Sequence, residues 1–141
     1  MKQGSRLVLA FEDCDDPTLG YRVATRADKT DALNFDRSYR HLPMLVHCVH
    51  GVGRSAAVAL MAHADQLGHG REEQAMAALL AQRQQATPNL IAVELADDLL
   101  GAGGPLMSAL LASEASDPAK QAARRNRLAF ARANPSLFAK A

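Results

Sequence analysis

The apolar positions of this chain fall into two kinds of spacing. Two runs are short and continuous, Leu7-Val8-Leu9-Ala10-Phe11 and Met44-Leu45-Val46. Runs of that length, closed by polar or glycine-containing sequence, predict buried strands of a parallel sheet. The other apolar residues recur at three- and four-residue intervals and predict helices. The first covers residues 28–39, with Asp28 or Thr30 marking its start and His41-Leu42-Pro43 ending it. The second covers residues 54–67, is rich in alanine, and stops at Gly68 and Gly70. A third, over residues 71–85, opens on Glu72-Glu73 and carries Met76, Leu79 and Leu80 on one face. Thr87 predicts the N-cap of a fourth, with Pro88 in first position and Ile91, Leu95 and Leu99 repeating every four residues until Gly101. A short helical piece over 106–112, a small polar linker over 113–118 and a basic tail complete the chain. Strands alternating with helices predict an α/β fold, a small central, mostly parallel sheet flanked by helices. The division that follows is a domain over residues 1–112 and a C-terminal helix or tail over 113–141.

The richest stretch joins the second apolar run to the alanine-rich helix: His47-Cys48-Val49-His50-Gly51-Val52-Gly53-Arg54-Ser55. Its order reads as strand, tight loop and helix N-terminus. Successive N–H groups in such a loop form an anion-binding concavity, and the helix dipole adds positive potential. A thiol at its mouth loses its proton readily, because helix N-termini and nearby cations stabilise the thiolate. Arg54 adds a guanidinium that can hold two phosphate oxygens at once. A zinc reading of His47, Cys48 and His50 lacks a second ligand pair and gives Gly51, Gly53 and Arg54 no work.

At these residues the chain resembles the cysteine-dependent protein tyrosine phosphatase superfamily, whose signature is His-Cys, any two, Gly, any two, Arg, then Ser or Thr. His47, Cys48, Gly51, Arg54 and Ser55 fill every fixed position. The resemblance implies a phosphatase-like three-layer arrangement. The chain reaches its first strand almost at once, so the sheet is expected to be reduced or shortened on its N-terminal side. It also implies phosphomonoester hydrolysis through a phosphocysteine, of the protein tyrosine or dual-specificity type. Cys48 is then the nucleophile, and Arg54 with the loop positions Val49, His50, Gly51, Val52 and Gly53 binds the phosphoryl oxygens. Ser55 hydrogen-bonds the departing thiolate, and His47 orders the loop or is a satisfied core histidine. No metal and no cofactor are implied.

An acidic loop, Glu12-Asp13-Cys14-Asp15-Asp16, follows the first apolar run. Read alone it is a solvated turn. Phosphatases of the dual-specificity type place their general acid on such a loop some thirty-odd residues before the cysteine. Phe11-Glu12-Asp13 is similar to the tensin-type form, and Asp13 stands 35 positions before Cys48. Asp16, at 32, fits the count better and the local pattern worse, so Asp13 is the chosen acid. Arg83 and Pro88-Asn89 resemble the Arg and Pro-Asn pattern that follows the signature in the same group.

Composition narrows the partners. With 141 residues the chain is expected to fold as one domain, and its net charge of +1 gives no case for nucleic acid. Aromatics are 4% with no tryptophan, which leaves few base-stacking platforms. The charged start has no signal-peptide core, and no run approaches a membrane span. Cys14 and Cys48 make no disulfide framework and suit a reducing cytoplasm. The expected partner is a phosphorylated protein or a small phosphomonoester, without nucleic acid or membrane; oligomeric state is left open. Lys120, Arg124, Arg125, Arg127, Arg132 and Lys140 in the tail read as a solvated helix face rather than an anionic-partner site. Two rivals stay open: a phosphate-binding pseudophosphatase module, and a cysteine enzyme of the rhodanese or arsenate-reductase kind.

Overall fold

A computed structural model describes residues 4–101 and 103–141 of the chain. The alanine-rich run forms the helix on which the others pack. We number the helices α1 (Arg26–Tyr39), α2 (Arg54–Leu67), α3 (Glu72–Gln82), α4 (Leu90–Leu99), α5 (Pro105–Ala115) and α6 (Pro118–Ala133). On α2, Ala56, Ala57, Leu60, Met61 and Ala64 are buried, a stripe of mostly small side chains that lets neighbouring backbones approach. Helices α1, α3 and α4 pack against it, α5 closes on α3 and α4, and α6 leans on α5. Gly68 ends α2 at φ +89°, with its N–H bonded to the Ala64 carbonyl at 3.0 Å.

Helix boundaries moved where a local hydrogen bond decided them. α1 begins at Arg26 because Thr25 and Asp28 form a reciprocal capping box, so Asp28 sits inside the first turn. α3 ends at Gln82, where Arg83 turns extended, rather than at Gln85. Asn89, not Thr87, caps α4, its Oδ1 accepting the Ala92 N–H at 3.0 Å. α5 runs on to Ala115 and absorbs the first half of the expected linker. Its first N–H groups, on Leu106 and Met107, donate to the buried Asp97 carboxylate at 3.0 and 2.8 Å.

The expected central parallel sheet does not exist among the described residues: the fold is all-helical. The one β-type pairing there is an isolated antiparallel bridge between Tyr21 and Lys140. Both strand candidates are extended, but residues 5–10 and 43–49 exchange no backbone hydrogen bond with any described residue. They line an open groove of about 900 Å³ floored by Phe35, Val58 and Met61. A strand needs a ladder partner, and the rest of the apolar sequence has helical spacing, so the helices bury one another directly. From the first run only Phe11 enters the core fully, with Leu9 partly buried against it.

One buried group opposes this packing. Lys29 of α1 is fully buried, its Nζ has no hydrogen-bond partner, and the nearest aromatic ring, Phe11, lies 5.7 Å away. Burial pushes its ammonium down to about 8, against a small upward pull from Asp28. Below that pH both folded and unfolded chains carry the proton, and the cost of burying the charge is fully present. Between about 8 and 10.5 the unfolded chain still holds a proton that the folded chain has released, so stability rises with pH. Lys29→Met is expected to raise stability at pH 7 by roughly 2–3 kcal/mol. The advantage should shrink as pH approaches 10, which urea denaturation of both proteins at two pH values would read. An advantage independent of pH would mean that Lys29 does not titrate in this window.

Candidate active site

Cys48 ends an extended segment whose side chains alternate. Met44, Val46 and Cys48 are partly buried, while Leu45, His47 and Val49 face solvent. His47 is therefore exposed, and among the described residues its ring makes no hydrogen bond. The core-histidine reading is corrected by this alternation, since the residue before an inward cysteine must point outward.

The loop after Cys48 is held from outside by the segment between α3 and α4. Arg83 Nη2 donates to the His50 carbonyl at 3.2 Å, and the Thr87 N–H donates to Val52 at 2.8 Å. Asn89 N–H donates to Gly53 at 3.1 Å, and the same carbonyl accepts the Ala57 N–H of α2 at 3.1 Å. With these carbonyls occupied outward, the Gly51 N–H reaches Cys48 Sγ at 3.2 Å. Gly51 makes the turn at φ +69°, a conformation costly for other residues. Val49 and His50 are exposed, Val52 is half-buried, and Gly53 is buried.

Ser55 lies in the first turn of α2, with Oγ 3.2 Å from Cys48 Sγ. Partial burial pushes the thiol up, but it is outweighed by the Ser55 hydroxyl and the N–H groups of Ser55, Gly51 and His50. The net effect is a thiol held below its ordinary range. Arg54 Nη1 donates to the Phe11 carbonyl at 3.1 Å, which ties the loop to the base of the acidic loop. Its Nε is buried without a partner, a donor left available for an oxyanion.

The acidic loop divides its carboxylates by position. Asp13 lies against the cysteine loop: a Cβ built on Gly53 would come within 2.7 Å of its carboxyl carbon. Asn89 Nδ2 donates to Asp13 Oδ1 at 3.1 Å, and Arg127 Nη1 stands 3.5 Å from Oδ2. Asp16 is spent elsewhere. It caps the short 3₁₀ turn Pro17–Leu19, accepting the Thr18 hydroxyl and N–H at 2.6 and 2.9 Å, and pairs with Arg132 at 3.3 Å. The Thr18 bonds and then Arg132 hold its carboxyl below the usual range. The structure thus brings Asp13, Cys48, Arg54 and Ser55 around one loop and leaves Asp16 outside it.

Three further residues belong to this arrangement and were not singled out as site residues from the sequence. Asp15 accepts the Leu90 N–H at 2.9 Å through Oδ1, and Arg124 and Arg127 at 3.0 and 3.1 Å through Oδ2. Arg124 and Arg127 are only 15% and 16% exposed, so this face of α6 is not the solvated one expected. Their three-residue spacing, set against the acids of residues 12–16, is the signal that could have found them. Cys14 is buried with Tyr21 and Ala131, and burial above all pushes its thiol up. Both cysteines are free thiols.

Cys48 should react with iodoacetate well below pH 8.5, the midpoint of an ordinary thiol, and phosphate or vanadate should slow the reaction. A titration midpoint at the ordinary value would show that the hydrogen bonds of Ser55 and Gly51 do not stabilise a thiolate. Compared with protein-family models, with curated proteins and with solved structures, the chain gives no match.

Proposed function

We propose that this chain hydrolyses phosphomonoesters through a phosphocysteine intermediate, as a phosphatase of the protein tyrosine or dual-specificity type. The observation that carries the reading is the Cys48 thiol, held below its ordinary range by the Gly51 N–H and Ser55 at 3.2 Å each. In the first step the Cys48 sulfur attacks phosphorus, the bond to the leaving oxygen breaks, and Asp13 gives that oxygen its proton. Arg54 and the loop amides hold the remaining oxygens, where positioning and charge stabilisation supply most of the rate. In the second step water attacks phosphorus, Asp13 takes its proton, and the sulfur leaves as a thiolate that Ser55 stabilises.

The exposed loop positions Val49 and His50 carry no lysine, which disfavours polyphosphoinositide substrates and leaves a phosphorylated protein or small phosphomonoester. Free thiols at Cys14 and Cys48 suit a reducing cytoplasm. No described helix is long and apolar enough to cross a membrane.

Wild type is expected to hydrolyse nitrophenyl phosphate and Cys48→Ser to be inert. A silent wild type that still binds phosphate would instead support the binding-module reading. Asp13→Asn should lower kcat/KM for phenyl phosphate by roughly 10²-fold and for nitrophenyl phosphate by much less, because kcat/KM reports the first step and that leaving group hardly needs a proton. The same pattern in Asp16→Asn rather than Asp13→Asn would move the acid role to Asp16.

A further inference from the structure

We infer that Arg127 of α6 is the positioning residue for the Asp13 carboxyl, the proton donor of the proposed reaction. The inference rests on the phosphatase reading. A single guanidinium touches the acidic loop and the segment that holds the cysteine loop. Arg127 Nη2 donates to Asp15 Oδ2 at 3.1 Å, and Nη1 stands 3.5 Å from Asp13 Oδ2. Nη1 also donates to the Thr87 carbonyl and hydroxyl at 2.9 and 3.1 Å. Thr87 in turn donates its N–H to the Val52 carbonyl of the cysteine loop. The chain of contacts therefore runs from the acidic loop through Arg127 and Thr87 to the loop that carries Cys48.

The two oxygens of Asp13 are treated differently. Oδ1 accepts a full hydrogen bond from Asn89 at 3.1 Å. Oδ2 stands 3.5 Å from Arg127 Nη1, too long for a committed hydrogen bond, and it is the Asp13 atom that a Cβ built on Gly53 would meet first. A planar fork reaching two carboxylates and a carbonyl fixes the Asp13 carboxyl in a way a lysine point charge reproduces only in part. Asn89 alone restrains one oxygen and leaves the other free to swing.

The experiment compares kcat/KM, which reports only the step that forms the phosphocysteine, for phenyl phosphate and nitrophenyl phosphate in wild type, Arg127→Ala, Arg127→Lys and Arg127→Ala with Asp13→Asn. Arg127→Ala should lose tenfold or more on phenyl phosphate and threefold or less on nitrophenyl phosphate, since misplacing an acid harms only the step that needs it. Arg127→Lys should recover part of the loss. The double variant should be no slower on phenyl phosphate than Asp13→Asn alone. Iodoacetate reactivity of Cys48 in each variant reports whether the nucleophile loop is intact, and Arg127→Lys against wild type decides the matter if the alanine variant does not fold. Equal losses on both substrates, or losses that multiply with Asp13→Asn, would overturn the positioning role while leaving the phosphatase standing. A wild type as silent as Cys48→Ser would remove the phosphatase and this assignment together.

Discussion

The carboxylate of Asp15 collects three donors from two separate parts of the chain. The Leu90 N–H opens α4, and the guanidinium groups of Arg124 and Arg127 project from α6. The acidic loop, the start of α4 and the middle of α6 thus meet on one side chain that is only 6% exposed. Charges taken this far from water stabilise nothing unless their partners are complete. Here they nearly are: Arg124 also holds Glu114 at 2.6 Å and the Pro88 carbonyl at 3.1 Å. Burial lowers the Arg124 pKa, and the two carboxylates more than reverse it, so the guanidinium stays charged. Such a cluster fixes geometry more than it adds stability, because loss of any member strands the others without water.

A second side chain ties the acidic loop to the cysteine loop. Asn89 is fully buried, caps α4 with its carbonyl oxygen, and points its amide at both Asp13 Oδ1 and the Cys14 carbonyl. Its own N–H binds Gly53 in the cysteine loop. The cysteine loop and the acidic loop are therefore held by the same residue, one through its backbone N–H and the other through its side-chain amide.

How much of this was legible in the sequence depended on how local its cause was. α2 could be read because its alanine stripe and Gly68 stop lie within the helix itself. The cysteine loop could be read because thiol, glycines and guanidinium sit within a few residues of one another. The sheet was misread because residues 7–11 and 44–46 have strand-like composition, and a strand is defined by its neighbour as well as by its own residues. Arg127 was misread for the same reason at longer range: its partner Asp15 lies 112 positions away. A run of basic residues looks like a solvated face until something shows which of them turn inward, and here Arg124 and Arg127 do while Arg125 stays exposed.

With no sheet among the described residues, the cysteine loop has no ladder restraint from its N-terminal side. Residues 43–49 form no ladder, and Leu45 and Val49 are 85% and 78% exposed. The acidic loop is entered the same way, through residues 5–10 with Val8 at 66% exposure. Both arms are instead held from beyond Cys48, by residues 83–89 and by α6. The Arg54 contact to the Phe11 carbonyl is the link that carries this restraint back to the first apolar run, at the point where Phe11 enters the core. The local order of the site should therefore follow the helices after it in the chain, and the two extended segments before it are the part with the least to hold them.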